Sequence, residues 1–182
     1  MAVIEAIETI YLEADATSVL TGTLPATYEH LQVRLSLRSE DASVTAGKYG
    51  DLKLRFNDLS TPTYWFHLMY GGDPYATGAG AAVYKGSAGA AKAGFAPRSL
   101  PADRSDSADY GGFIIDIRDY RNTNKYTTFS VVQGKAVGGG EPVVLFGGGM
   151  WTNTDAITSL KFISTDGWNR GSQITVYGLN SS

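Results

Sequence analysis

Two histidines, His30 and His67, are the only imidazoles in this 182-residue chain, and there is no cysteine. The missing thiols remove disulfides, thiolate metal sites and cysteine nucleophiles together. His30 lies in YEHLQVRLSLR and His67 in TYWFHLMY, both strand-like stretches. They therefore read as outer-face or partner-contacting residues, and the order of residues displays no Ser-His-Asp arrangement. The GxSxG elbow of a hydrolase does not occur. GAGAAVYKGS lacks the spacing of a phosphate-cradling Walker A loop.

Acidic residues offer little more. Asp103, Asp106 and Asp109 recur every third position, unlike the every-second-position ladder of a calcium loop with its glycine and closing glutamate. They read as a solvated loop. Asp116 and Asp119 share a run with Arg118 and Arg121, which suggests a surface ion-pair cluster rather than a catalytic carboxylate pair. A glycan-processing enzyme would need such a pair across a groove, and none can be placed. Asn180-Ser181-Ser182 matches a glycosylation acceptor in letters alone. No catalytic, cofactor-binding or metal-binding residue is assigned, no cofactor is implied, and the expectation is not an enzyme.

The aromatic residues carry more information. Eleven tyrosines and three tryptophans are present, and Tyr and Trp are enriched both in cores and at protein interfaces. Core packing, a protein interface and stacking on sugars all remain open for them. The interface candidates are Trp65, Tyr70, Tyr75, Tyr84, Phe95, Arg118, Tyr120 and Trp168.

The elements that would position these residues are strands. In Tyr28 to Arg38, Leu31, Val33, Leu35 and Leu37 alternate with His30, Gln32, Arg34, Ser36 and Arg38. A period of two puts the aliphatic row on one face and the polar row on the other, as in a half-buried antiparallel strand. Leu52, Leu54 and Phe56 repeat the pattern, as do Phe113, Ile115 and Ile117. Further strands are expected at Ile7 to Glu13, Ser18 to Thr23, Thr63 to Tyr70, Tyr126 to Gln133, Pro142 to Phe146, Ile157 to Ser164 and Ser172 to Leu179. Gly138 to Gly140 should break the chain and Gly147 to Gly149 should let it bend. Nine or ten short strands with turn signals throughout and no convincing helix predict an all-β antiparallel sandwich or barrel. A single domain over 1–182 is expected. It carries a flexible Gly/Ala-rich insertion at about 71–96, whose few large side chains bury too little to order it alone. Ala82-Val83-Tyr84 is its one candidate β-pair.

Charge narrows the partners. The net charge is −3 and the pI about 5.3, whereas a nucleic-acid binder normally presents a basic face. No apolar run approaches the roughly 20 residues of a membrane helix, and the amino-terminal segment lacks the basic start of a secretory signal. Neither nucleic acid nor membrane is expected as a partner.

Three segments resemble a family of tailed-bacteriophage virion proteins. Leu24-Pro25-Ala26-Thr27-Tyr28 through Leu31, Val33 and Arg38-Ser39 is similar to the family's IPxTYxxLxLxxxxRS opening. Leu52 to Asn57 is similar to its LxIxFNGD strand, with Asp58-Leu59 in place of Gly-Asp. Gly149-Met150-Trp151, Ala156 to Leu160 and Gly171 to Leu179 resemble its GxWxxxxAITSI…GSxxTLYGI ending, and Asn122 to Lys125 sits where the family tends to carry a Y…NK loop. The resemblance implies a jelly-roll module, often trimeric, that is a structural part of the particle. It points first to a capsid cement or decoration protein, a homotrimer on the major capsid protein that stabilises the head lattice. Its location would be the virion, after synthesis in the host cytoplasm. The alternative is a tail-tip or fibre module that binds host-surface carbohydrate.

Overall fold

A computed structural model of the chain describes residues 3–39, 50–61, 63–71, 81–85, 94, 98–100, 110–137 and 140–180. Thirteen strands and no helix occur among the described residues. They are β1 (Val3–Tyr11), β2 (Ala16–Leu20), β3 (His30–Leu37), β4 (Gly50–Asp51), β5 (Lys53–Phe56), β6 (Tyr64–Gly71), β7 (Ala81–Lys85), β8 (Arg98–Leu100), β9 (Gly111–Arg118), β10 (Thr127–Val137), β11 (Gly140–Trp151), β12 (Leu160–Trp168) and β13 (Gln173–Asn180). The larger sheet has the order β1-β13-β3-β9-β10-β11-β6-β7, a smaller one β2-β12-β5, and β4 pairs with β8. All pairings are antiparallel. The chain is thus all-β, in an arrangement consistent with a β-sandwich. The strand number exceeds the expected nine or ten, partly because Gly50–Asp51 forms a short strand, β4, ahead of β5 and because β7 and β8 are separate short strands.

Alternation decides which residues are inside. Leu31, Val33, Leu35 and Leu37 of β3 are buried, and so are Phe113, Ile115 and Ile117 of β9, their register partners or near neighbours. Phe56 of the small sheet packs on three rings of the large one. Its ring centroid lies 5.4 Å from Trp151, 5.6 Å from Tyr64 and 6.0 Å from Phe129. The Phe56 N–H also donates to the Tyr64 hydroxyl at 2.7 Å. Burial pushes the Tyr64 hydroxyl well above its ordinary pKa, so it stays neutral in the core. The two faces of β6 differ. Tyr64, Phe66 and Leu68 point inward, Trp65 is half-buried on the other side, and His67 and Met69 are exposed.

β11 starts at Gly140, where the expected break ends, and continues as one strand through Gly147 to Gly149, where a bend was expected. A Cβ on Gly147 would lie 2.4 Å from a Leu68 methyl, and one on Gly149 2.3 Å from the Trp65 carbonyl oxygen. The glycines let β11 approach β6 closely. Of the Gly/Ala-rich region, Ala81–Lys85 forms an edge strand on β6, and Gly94 lies against Lys53 and Leu54. The expected flexible insertion otherwise lies outside the described residues, as do Asp103, Asp106 and Asp109.

Asn57 closes β5 and ties it to the segment before β12. It has φ 54°. Its Oδ1 accepts from the Thr158 N–H at 2.7 Å, the Thr158 hydroxyl at 3.2 Å and the Ser159 N–H at 3.3 Å, while its Nδ2 donates to the Ala156 carbonyl at 2.9 Å. Asn tolerates the left-handed region better than most residues. Asn57→Ala is expected to cost about 2–3 kcal/mol, from two or more lost hydrogen bonds plus backbone strain. Asn57→Gly, which removes the bonds but not the favourable backbone, should cost less. Chemical denaturation of the two variants checks the order.

Candidate functional site

Two features among the described residues have the makings of a site: a polar cluster at one end of the large sheet and an apolar strip across its outer face. The cluster joins Glu29, His30 and Asp119, whose ligand-type atoms all lie within 4.8 Å of one another. His30 opens β3 and Asp119 follows β9, and the antiparallel pairing of these strands sets the two side by side. One imidazole and two carboxylates suit a divalent metal by type. The hydrogen bonding does not suit one. The Asp119 N–H donates to His30 Nδ1 at 3.0 Å, which uses that lone pair and leaves the ring proton on Nε2, 3.8 Å from Glu29 Oε1. The Asp119 carboxylate meets Lys125 Nζ at 2.5 Å. The cluster locks the turn after β9, where Asp119 has φ 51° and its carbonyl accepts the Asn122 N–H at 2.9 Å. Asp119 thus takes Lys125 as its cation, rather than pairing with Arg118 or Arg121, while Asp116 accepts from Gln32 at 2.9 Å.

The hydrogen bond from Lys125 is the main cause that holds the Asp119 carboxyl below its usual range. A depressed carboxylate pKa stabilises the fold above the unfolded-state value, and this contribution is lost as pH falls through the folded-state value. Lys125→Ala should therefore lower stability at neutral pH by under about 1 kcal/mol, since the pair is largely exposed. The difference from wild type should vanish in acid. Thermal melts of both proteins from pH 7 downward test this, and a gap of constant size would contradict it.

The second feature runs across four neighbouring strands. Ile114 on β9, Val132 on β10, Phe146 on β11 and Met69 on β6 are successive register partners. All four are exposed, at 41%, 47%, 54% and 52%. Each follows directly on an inward apolar residue: Phe113, Val131, Leu145 and Leu68. The core accounts for the first member of each doublet and not for the second. The doublets were the signal in the sequence, hidden because a single strand's inward row already explains one of each pair.

The eight interface candidates divide. Trp65 is half-buried and Arg118 exposed, and they stand at opposite ends of one row, Arg118–Thr128–Met150–Trp65, across the same outer face. Tyr120 and Trp168 have no exposed surface. Tyr120 donates its hydroxyl to the Pro25 carbonyl, and its backbone carbonyl accepts the Ile157 N–H at 2.8 Å. Both side chains belong to the core and cannot meet a partner, because in a sandwich the large rings fill the space between the sheets. Tyr70 sits on β6 opposite Leu145, and Tyr84 on β7 opposite Leu68. Tyr75 and Phe95 lie outside the described residues. His67 is exposed on the outer face, as expected, whereas His30 is tied into the turn. No helix among the described residues is long and apolar enough to cross a membrane. Compared with protein-family models, curated proteins and solved structures, the chain matches none.

Proposed function

We propose that the chain is a structural protein of a tailed-bacteriophage virion, in the first place a capsid decoration protein that works as a homotrimer on the head lattice. The observation that carries this reading is how the three family-like segments meet. β3 of the first pairs with β13 of the third, and β5 of the second pairs with β12 of the third. Asn57 at the end of the second segment bonds Thr158 and Ser159 of the third. The Leu24 N–H of the first donates to the Thr158 carbonyl at 2.8 Å, and Phe56 packs edge-on against Trp151. The residues that carry the likeness form one connected framework. A likeness of fold would place them so, whereas chance strand composition would have no reason to.

Strand order supports the jelly-roll part of the reading. β1, β2, β3 and β5 fall alternately in the large and small sheets, and the chain returns through β12 and β13 to lie beside them. The resulting runs, β1-β13-β3-β9 and β2-β12-β5, are compatible with the wrapped Greek-key path of a jelly roll, with three strands in the second run. The remaining strands β10, β11, β6 and β7 widen the first sheet. The function of such a module is to hold neighbours, through surfaces such as the outer face of the large sheet.

Quantitative mass spectrometry of purified particles tests the reading. Hundreds of copies per particle are expected. A handful of copies, with adhesion of the isolated protein to host-surface carbohydrate, would move it to the tail tip. Absence from the particle would end the proposal.

A further inference from the structure

We infer that the outer face of the large sheet carries a binding trough for a short, uncharged oligosaccharide, floored by Gln32, Asp116, Ser130 and Gly148. The inference stands on the geometry and chemistry of this face and does not depend on the virion reading.

Gln32 on β3, Asp116 on β9, Ser130 on β10 and Gly148 on β11 are successive register partners, and all four are half-buried. Their neighbours two positions away on the same face stand higher. Ile114 and Arg118 flank Asp116, Val132 and Thr128 flank Ser130, and Phe146 and Met150 flank Gly148, and all of these flanking residues are exposed. The floor therefore lies below both sides over β9, β10 and β11, as a trough that crosses the strands with the apolar row as one wall. The exposed His67, the register partner of Gly148, stands across its end at β6. At ordinary strand spacing the floor runs about 14 Å from Gln32 to Gly148, longer than one sugar ring. The fold keeps it open at Gly148, because a Cβ there would lie 3.2 Å from the Phe129 carbonyl oxygen.

The floor is polar and its groups are fixed in place. Arg34 is the register partner of Ile114, yet its side chain leans along β3 over the floor. Its Nε donates to Gln32 Oε1 at 2.9 Å, and its guanidinium carbon lies 5.0 Å from the centre of the Tyr177 ring. Gln32 Nε2 donates in turn to Asp116 Oδ1 at 2.9 Å. These bonds set the orientation of each planar group and leave each with an open edge. The Arg34 Nη groups and the second Gln32 N–H donate, Asp116 Oδ2 accepts, and the Ser130 hydroxyl does both. Among the described residues these atoms take no partner.

This set of groups selects a class of ligand. Arg34 and Asp116 cancel in charge, so a phosphate or carboxylate drawn to the first is repelled by the second. A hydroxyl both gives and accepts, and neighbouring hydroxyls of a sugar ring match donors and acceptors placed side by side. The C–H faces of such rings suit the exposed Ile114, Val132 and Phe146. A linked pyranose advances by close to one strand spacing, so successive rings stand over successive strands. An extended peptide advances about 3.3 Å per residue and falls out of step with strands about 4.8 Å apart. Polar groups ordered before the ligand arrives also lower the entropy cost of binding it.

Titration calorimetry of the full chain tests this, with a panel of neutral linear oligosaccharides of glucose, galactose, mannose and N-acetylglucosamine beside sialylated and sulfated ones. At least one neutral member should bind, with an affinity that added salt leaves unchanged. The bound sugar should shift the backbone amide resonances of Asp116, Ser130 and Gly148. Asp116→Asn keeps the oxygen that Gln32 uses and turns the open one into a donor. It should weaken neutral binding at least about tenfold, the effect of one lost hydrogen bond to a charged group, at an unchanged thermal midpoint. Arg34→Ala, which removes the opposite member of the set, should do the same. No binding across the panel would overturn the inference, as would binding of acidic sugars alone or neutral binding unchanged in both variants. A trough that takes peptides of mixed polar and apolar residues and no sugar would belong to a protein partner and overturn it too.

Discussion

Leu35→Asp is expected to leave no cooperatively folded protein. Leu35 sits in the middle of β3, 4% exposed, between Ile174 of β13 and Phe113 of β9. Loss of the buried leucine alone costs about 2–5 kcal/mol. Among the described residues no cation is buried in that layer, so the carboxylate must either stay ionised in the core or take up a proton, at several kcal/mol more. The sum rivals the whole stability of an ordinary domain, about 5–15 kcal/mol. The neighbouring Arg34→Ala is the control. Arg34 points outward, lies 5.0 Å from the Tyr177 ring and donates to Gln32 at 2.9 Å. Its loss should cost under about 1 kcal/mol. Circular dichroism melts of the pair decide the matter, and a cooperative transition in Leu35→Asp close to that of wild type would mean β3 is not the strand described.

Phe56→Ala is expected to destabilise by about 3–5 kcal/mol, the usual loss for a phenylalanine removed from a close-packed core. For a chain of this size that corresponds to roughly 6–20 °C in the thermal midpoint. Phe56 has no exposed surface and touches rings from three strands of the large sheet. It is one of the contacts that hold the small sheet against the large one, with Leu54, Leu160 and Phe162 in the same core. Deletion of the ring leaves a cavity bounded by Trp151, Tyr64 and Phe129, large buried rings that cannot easily collapse into it. Tyr64 and Trp151 lie stacked at 6.3 Å. Phe56→Leu retains much of the volume and should lose clearly less. Equal losses for the two substitutions would show that volume at this point does not matter, contrary to the packing.

Much of the strand pattern was legible in the order of residues. The rows in β3, β5 and β9 were visible because an apolar residue at every second position is a local property. Glycine is the residue type a left-handed turn position calls for, and Gly167 and Gly171, around the connection from β12 to β13, both have φ of 89°. Errors arose where one signal had two physical causes. Gly147 and Gly149 were expected only to let the chain bend, and the close approach of β6 was missed, because a glycine also serves where two backbones meet. Tyr120 and Trp168 looked like interface anchors, but a large ring is as useful in a core, and only the position of the opposite sheet separates these uses. The second members of the doublets Phe113-Ile114, Val131-Val132, Leu145-Phe146 and Leu68-Met69 could be recognised as one row only after the strand neighbours were known.

By itself, then, the sequence determined that this chain forms strands, which side of many of them is apolar, and that neither thiols nor a recognised catalytic motif are available. Those properties depend on residue type and on spacing over a few positions. The tertiary structure decided which strands lie side by side, and through that the Asn57 tie, the ring cluster around Phe56, the His30–Asp119 turn and the outer-face ridge. The reason is separation: Thr9 bonds Thr175 across 166 positions, and no local pattern specifies a partner that far along the chain.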